Sequence, residues 1–496
     1  MRADLGERTA AALVFLSSAA VLVVELTALR LLAPYLGLTL ETSTMVIGIA
    51  LAAIAAGSWA GGTYADLVDP RRVLAPLLGV SGAVVAVTPF AVRGAGESAS
   101  ASGGGAVLLV AAVTILVPGA LLSAVTPMVT KLQLQSLDRT GTVVGRLSGI
   151  GTVGAIAGTV VTGFVLVSRL RVSTILLALG LLLVIGAVVI EVLLRRRVGR
   201  GTGTAAAVVV VGGLAAALGP GGCDAETTYH CAEVVADPGR ESGRTLVLDG
   251  LRHSYVDLED PTHLEFAYVR AIASVSDVAF APDEPLRAYH LGGGGLTLPR
   301  YLAAVRPGTD SVVSEIDGGV VRVDRQLLAL DEAVAEVRVE DGRLGLARLE
   351  EASRDLVVGD AFGGVSVPWH LTTREAVAGI ERVLDDDGLY VANLIDYGDL
   401  AFARAEVATL REAFEHVAVL GEPVDLGEPA PGRGGNLVAL AGDRPVDLDA
   451  LQERLSERGT GWTVLTGPGL DSWVGDAEVL TDDHAPVDQL LQPYVS

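Results

Sequence analysis

The first 220 residues alternate long apolar runs with short polar breaks. The runs lie at about 9–33, 43–64, 73–93, 105–127, 148–168, 172–194 and 203–219. Each approaches or exceeds the ~20 residues that a helix needs to cross a bilayer, the last being the shortest. A cleaved secretory leader would not be followed by six more such runs, so the first is expected to be retained. Small residues crowd these segments, as in Gly57-Ser58-Trp59-Ala60-Gly61-Gly62, and in a membrane such residues let helices approach closely. The pattern predicts a multi-pass α-helical membrane domain over 1–220, with the lipid bilayer as its partner.

Glu25 and Arg30 fall inside the first run. An acid in hydrocarbon faces a partner or a cavity, so the pair is either a polar site for an ion or substrate, or a structural pair that fixes helix packing. Arginine and lysine cluster in alternate breaks: Arg2 and Arg8, then Arg71 and Arg72, then Lys131, Arg139 and Arg146, then Arg195, Arg196, Arg197 and Arg200. The bias of short loops sets the amino terminus in the cytoplasm. Seven spans then place the second half outside the cytoplasm, and six place it inside.

Beyond residue 220 the period changes. Thr245–Asp249 and Ser254–Asp257 read as an N-terminal β-hairpin around Gly250, and Pro261-Thr262 opens a helix over about 263–276. Strand patterns follow near 286–291, 311–316, 337–340, 355–360, 388–394, 415–420 and 436–441. Helical patterns at 297–305, 318–329, 370–384 and 398–413 lie between them. Such alternation predicts a mostly parallel sheet covered on both faces, a Rossmann-like α/β domain over 244–496. Residues 221–243 read as a linker.

Charge separates the halves. Residues 1–220 carry 15 basic and 9 acidic side chains, and residues 221–496 carry 21 and 50, a net of −29. So acidic a surface repels nucleic acid, which requires phosphate neutralisation. The only cysteines, Cys223 and Cys231, are closely spaced in the linker. They fit a disulfide in an oxidising compartment; a zinc site would need ligands beyond the neighbouring His230.

Candidate chemistry gathers where strands end. Gly292-Gly293-Gly294-Gly295 follows the first strand of the alternating region, and about twenty residues later the next strand ends in Glu315-Ile316-Asp317. Glycines let a backbone pass close to a ligand, and an acid at the next strand tip can bind a ribose diol. Asp341-Gly342-Arg343 ends the third strand and Asp360-Ala361-Phe362-Gly363-Gly364 the fourth. Three successive acid-tipped strand ends point to a nucleoside-type ligand, since ligands of such sheets sit at the carboxyl ends of the strands.

Taken in order, Leu248-Asp249-Gly250-Leu251-Arg252-His253-Ser254, Gly292 to Tyr301, Glu315-Ile316-Asp317, Asp341-Gly342-Arg343, Asp360-Ala361-Phe362 and Thr481-Asp482-Asp483-His484-Ala485-Pro486 resemble the spermidine synthase (polyamine aminopropyltransferase) family over about 240–445. The whole chain resembles the bacterial membrane-fused branch of that family. The resemblance implies a class I methyltransferase-like fold and polyamine biosynthesis. The donor would be decarboxylated S-adenosylmethionine, the acceptor a small-molecule amine, and no metal would be needed. It also implies roles. Asp360 would be catalytic, accepting a proton from the amine or orienting it. Glu315 would hold the ribose hydroxyls, with Asp317 beside it, and Asp341 and Gly342 the adenine end. Gly292, Gly293 and Gly294 would admit the donor. Asp249, Tyr268 and Asp483 would face the acceptor. His253 reads either as a donor contact or general acid/base, or as a polar strand residue. His484, beside Asp482 and Asp483, has the look of metal spacing, but without a further fixed ligand it reads as part of a loop near the site mouth.

Departures accompany the resemblance. Gly295 stands where the family's loop carries an Asp, Gly363 where it has an acid, His253 where it has Gln, and Tyr268-Val269-Arg270 where it has Tyr-His-Glu. Arg270 would put a cation where a diamine sits. A methyltransferase or lyase using S-adenosylmethionine itself therefore stays open, as does a non-catalytic nucleoside-binding sensor or transporter. Glu25 inside the first run favours the last. Gly62-x-x-x-Asp66 with Asp69-x-Arg71-Arg72 resembles the loop between the second and third helices of major-facilitator transporters, but seven spans is not that family's usual twelve, so the match does not argue strongly for transport. The oligomeric state is left open, a homo-oligomer included.

Overall fold

The computed structural model describes residues 5–36, 40–100, 104–134, 140–195, 223–364, 366–427 and 434–491. The chain divides into two compact units, Met1–His230 and Cys231–Ser496.

In the first unit six helices are long and apolar enough to cross a membrane: Glu7–Leu32, Thr42–Leu67, Pro70–Val92, Ala112–Gln133, Thr140–Leu166 and Val172–Leu194. The seventh expected span, 203–219, lies outside the described residues. The helices are held at close range by small residues. A Cβ on Gly57 or Gly61 would strike the backbone of Ala120 or Ala124, and one on Gly154 or Gly158 would strike that of Phe15 or Ala19. Both pairs are spaced i,i+4, so each presents a smooth stripe to the neighbouring helix. Polar contacts gather at one end of this unit. Lys131 Nζ donates to Asp66 Oδ1 and to the Ala65 carbonyl, each at 2.7 Å. Arg146 pairs with Glu7 at 2.8 Å, and Gln133 donates to the Leu5 carbonyl at 2.7 Å. Asp66 and Lys131 thus tie the motif after the second span to the end of the fourth. A two-residue strand, β1 (Ala225–Glu226), closes this unit, and Glu226 accepts from Ser173 Oγ at 3.1 Å. Neither Cys223 nor Cys231 is free; both are in a disulfide.

The second unit begins earlier than the linker expected over 221–243 allows. Its first strand, β2 (Cys231–Ala236), pairs antiparallel with β3 (Gly243–Leu248), which pairs antiparallel with β4 (Leu251–Asp257). Asp249 and Gly250 join β3 to β4, both with positive φ (53° and 81°), the conformation that a two-residue hairpin turn demands.

The main sheet contains β5 (Arg287–Leu291), β6 (Asp310–Glu315), β7 (Glu336–Val339), β8 (Arg354–Gly359), β9 (Leu384–Tyr397), β10 (His416–Gly421), β11 (Gly434–Gly442) and β12 (Thr463–Leu465), in the order β12-β10-β11-β9-β8-β5-β6-β7. From β9 to β7 every pairing is parallel, whereas β11 runs antiparallel to β9 and to β10, and β12 antiparallel to β10. The expectation of a mostly parallel sheet therefore fails along one flank. The cause is connection length. Between β10 and β11 the only described helix is the four-residue Pro423–Leu426, too short for the crossover that parallel pairing requires.

Strand residues alternate between two cores. Tyr289, Leu291, Val357, Ala392 and Leu394 pack with Val377, Ile380, Phe402 and Leu410 of the helices Arg374–Val383 and Ala401–Leu410. Ala288, Leu356, Val358 and Val391 pack on the opposite face with Ile272, Leu302 and Leu451 of the helices Ala267–Ala279, Thr297–Val305 and Leu448–Glu457. Burial on both faces explains why these strands read as continuous apolar runs.

The stripe Gly57/Gly61 supports a direct test. Gly57→Leu should cost about 1–3 kcal/mol by overpacking, read as a lower melting temperature of the detergent-solubilised protein. Gly48→Leu, where a Cβ meets nothing within 4 Å, should leave it unchanged.

Candidate active site

Strand β5 lies between β6 and β8, so the chain leaves β5 on one side and returns on the other. The crevice at such a switch point opens at the carboxyl ends of the strands. Here Leu291 runs into Gly292, whose φ is +97°, and a Cβ on Gly292 would strike the Asp360 carbonyl. The Gly292 N–H donates to the Ser314 carbonyl at 3.0 Å and the Asp360 N–H to the Leu291 carbonyl at 2.9 Å. The ends of β5, β6 and β8 are thereby stitched together.

Glu315 holds the glycine loop down. One carboxylate oxygen accepts the Gly293 N–H at 2.8 Å and the other the Asp317 N–H at 2.7 Å. A Cβ on Gly293 would crowd Val313 and Glu315 itself, whereas one on Gly294 would meet only Leu246 at 3.6 Å. Gly295 also has positive φ, and its N–H donates to Asp324 Oδ1 at 3.1 Å. Burial pushes the Asp324 carboxyl up to about 8 despite that bond.

Asp341 caps the short helix Gly342–Leu346: its Oδ1 accepts the Leu344 N–H at 3.0 Å and its Oδ2 meets His370 Nε2 at 2.8 Å. Burial opposes its charge, but the Leu344 and His370 bonds prevail and hold the carboxyl below its ordinary range. The Gly342 carbonyl accepts from the Tyr289 hydroxyl at 3.0 Å. Arg343 is gripped by Asp482 through two bonds of 2.7 Å, and Asp482 also accepts from Thr373 Oγ1 at 2.7 Å. The arginine and threonine hold the Asp482 carboxyl down at about 2. The segment 481–486 is thereby drawn onto the loop after β7.

Asp360 is only partly open to solvent. Asn393 Nδ2 donates to its Oδ1 at 2.8 Å and the Tyr268 hydroxyl to its Oδ2 at 3.4 Å. Asn436 Nδ2 in turn donates to Asn393 Oδ1 at 2.9 Å. Burial pushes the Asp360 carboxyl up to about 6 against the pull of Asn393 and Tyr268. Burial, with Asp360 nearby, pushes the Tyr268 phenol well above its ordinary value.

Gly292, Gly293, Gly294, Glu315, Asp341, Gly342, Asp360 and Tyr268 thus share one end of the sheet. His253 adjoins them through its carbonyl, which lies 3.3 Å from the Tyr268 hydroxyl. Three expected residues stand differently. Asp317 is wholly buried and caps the helix Gly318–Leu327 by accepting the Gly319 N–H at 2.8 Å, so it shapes the loop. Asp249 sits in the β3–β4 turn, where its carboxylate accepts the Cys231 N–H at 2.9 Å. Asp483 is exposed, and its neighbour Asp482 makes the contacts. Arg270 does not enter the diamine position: it lies two residues beyond Tyr268, on the far side of the helix, and donates to the Arg458 carbonyl at 3.1 Å. His370, which begins the helical pattern after the fourth strand and reads from sequence as a capping or packing residue, meets Asp341, whereas no sequence motif marks Asn393, Asn436 or Asp324. The signal for the asparagines was there: each interrupts an apolar strand, and a buried amide requires partners.

No family model matches the chain. The polyamine aminopropyltransferases of Bacillus mycoides (strain KBAB4) and Vibrio vulnificus (strain CMCP6) are 31% and 30% identical to it, over 31% and 33% of this chain and 54% and 55% of theirs. The solved structure of a probable spermidine synthase from Corynebacterium glutamicum ATCC 13032 is 31% identical in sequence, with 53% of this chain and 97% of that chain covered and a TM-score of 0.49. The α/β half belongs to the spermidine synthase family. The chain spans about half the length of those two curated relatives.

The crowding at Gly292 predicts the effect of a single methyl. Gly292→Ala should cost about 1–3 kcal/mol through its backbone conformation, measured by urea unfolding. Gly294→Ala should stay within about 0.5 kcal/mol.

Proposed function

We propose that this chain is a membrane-tethered transferase of the spermidine synthase type. It moves the aminopropyl group of decarboxylated S-adenosylmethionine to an amine. The observation that carries the reading is the convergence of Asp360, Glu315 and Asp341 on the glycine loop at the switch point of the sheet. The glycines leave room for the donor, Glu315 has oxygen lone pairs for ribose hydroxyls beyond its two backbone bonds, and Asp341 lies at the adenine end. An acidic rim attracts the sulfonium cation.

The attacking amine must present a lone pair. That pair forms the new N–C bond at the carbon next to sulfur, the C–S electrons pass to sulfur, and neutral methylthioadenosine leaves. The proton lost by nitrogen passes to Asp360, whose carboxyl near 6 is an acceptor matched to neutral pH. Asn393 and Tyr268 fix the direction of its oxygens.

Asp360→Asn should abolish methylthioadenosine formation while leaving the affinity for methylthioadenosine within a few-fold. The wild-type rate should fall on the acid side with a midpoint near 6. The raised carboxyl also sets a sign for stability. Asp360 favours the fold when protonated, and this contribution is lost as pH rises from the unfolded value through about 6, roughly 3 kcal/mol in all. The Asn variant should therefore melt higher than wild type at pH 8 and not at pH 4. Full turnover in that variant would remove Asp360 from the mechanism. S-adenosylhomocysteine as product would instead indicate methyl transfer, and methylthioadenosine formed without amine a lyase.

We further propose that 203–219 is a seventh span. The arginine-rich loops then set the α/β half outside the cytoplasm, where a Cys223–Cys231 disulfide persists. A carboxyl-terminal alkaline phosphatase fusion should be active and a green fluorescent protein fusion dark. The reverse would establish six spans and a catalytic half on the side where the donor is made.

A further inference from the structure

Resting on the aminopropyl-transfer reading, we infer that the acceptor is an amine with one positive charge, a primary monoamine with an uncharged tail, and not a diamine. The wall around the reacting carboxylate is polar but neutral. Asp360 is met by the Asn393 amide at 2.8 Å and the Tyr268 phenol at 3.4 Å, and Asn393 is backed by the Asn436 amide at 2.9 Å. Both side chains that donate to Asp360 in these bonds are uncharged, and burial raises its carboxyl against them.

On the same reading Glu315 and Asp341 are taken up by the ribose and adenine of the donor, not by the acceptor. Both Glu315 oxygens take backbone N–H groups of the glycine loop and its own turn. The Asp341 oxygens take the Leu344 N–H and His370. Gly363, three residues beyond Asp360, has no side chain to offer.

A diamine would bring two ammonium groups. One loses its proton on attack and is served by Asp360. The other would leave water for a surface of amides and phenol, and an ammonium desolvated without a counter-charge is strongly disfavoured. An apolar tail loses nothing by the same transfer, and a tail bearing a hydroxyl or amide finds hydrogen-bonding partners in Asn393 and Asn436. The transfer balances as for any amine. The nitrogen lone pair forms the N–C bond, the C–S pair goes to sulfur, and one proton leaves the new secondary ammonium.

The test uses the full chain in detergent with saturating decarboxylated S-adenosylmethionine, comparing butylamine with 1,4-diaminobutane and propylamine with 1,3-diaminopropane. The monoamine of each pair should show at least a tenfold higher kcat/KM for methylthioadenosine formation. A diamine that matches or exceeds its monoamine overturns the inference. No methylthioadenosine with any amine, from protein that still binds methylthioadenosine, overturns the transfer reading and the acceptor assignment with it. A second variant isolates the missing charge. A Cβ on Gly363 meets only the Ser366 carbonyl, at 4.0 Å, so Gly363→Asp is accommodated. It should raise kcat/KM for 1,4-diaminobutane at least tenfold and move that for butylamine less than threefold. Equal change for both amines would show that charge in this wall does not select the acceptor.

Discussion

The α/β half depends on one close approach, that of the Gly292 backbone to the Asp360 carbonyl. Nothing larger than a hydrogen fits there, and the two residues anchor their strand ends through the Ser314 and Leu291 carbonyls. Because β5 sits at the reversal of strand order, this contact brings the loop that would admit a donor beside the acid that would receive a proton. Glu315 then ties the same loop to β6, so the loop and the acid share one frame. Rigid placement matters for a displacement reaction, in which most of what a protein can supply is alignment of the reacting atoms.

The six long apolar helices of the first unit follow the same geometric rule. Lipid offers no hydrophobic driving force between helices, so close packing must come from shape. The stripes Gly57/Gly61 and Gly154/Gly158 provide it against Ala120/Ala124 and Phe15/Ala19. Two ion pairs, Lys131–Asp66 and Arg146–Glu7, join helices of this unit as well.

Much of this was legible in the residue order, and for identifiable reasons. The apolar runs of the first half marked six of the helices, since unbroken apolar runs of that length admit few other readings. The strands β5 to β8 were legible because two-sided burial makes them apolar throughout, and the glycines and acids after them because strand ends recur at regular spacing. The antiparallel flank was not legible, since pairing direction there is decided by a short connection and not by strand composition. Nor were the roles of Asp317 and Asp249, whose carboxylates serve a helix cap and a turn. Local backbone demand and ligand binding ask for the same residue type, and only geometry separates them. Arg270 was misplaced for a related reason: alignment gives position along the helix, and orientation about its axis has to be seen.

The grip of Asp482 on Arg343 spans 139 residues of sequence. Until the segment around residue 482 has left the ribosome, the loop after β7 lacks its clamp, although the glycine loop, Glu315 and Asp360 have all been made. A nascent chain that has made every other part of this cluster of strand ends would therefore still lack one of its ties. Completion of the loop after β7 is thereby coupled to completion of the chain's last segment.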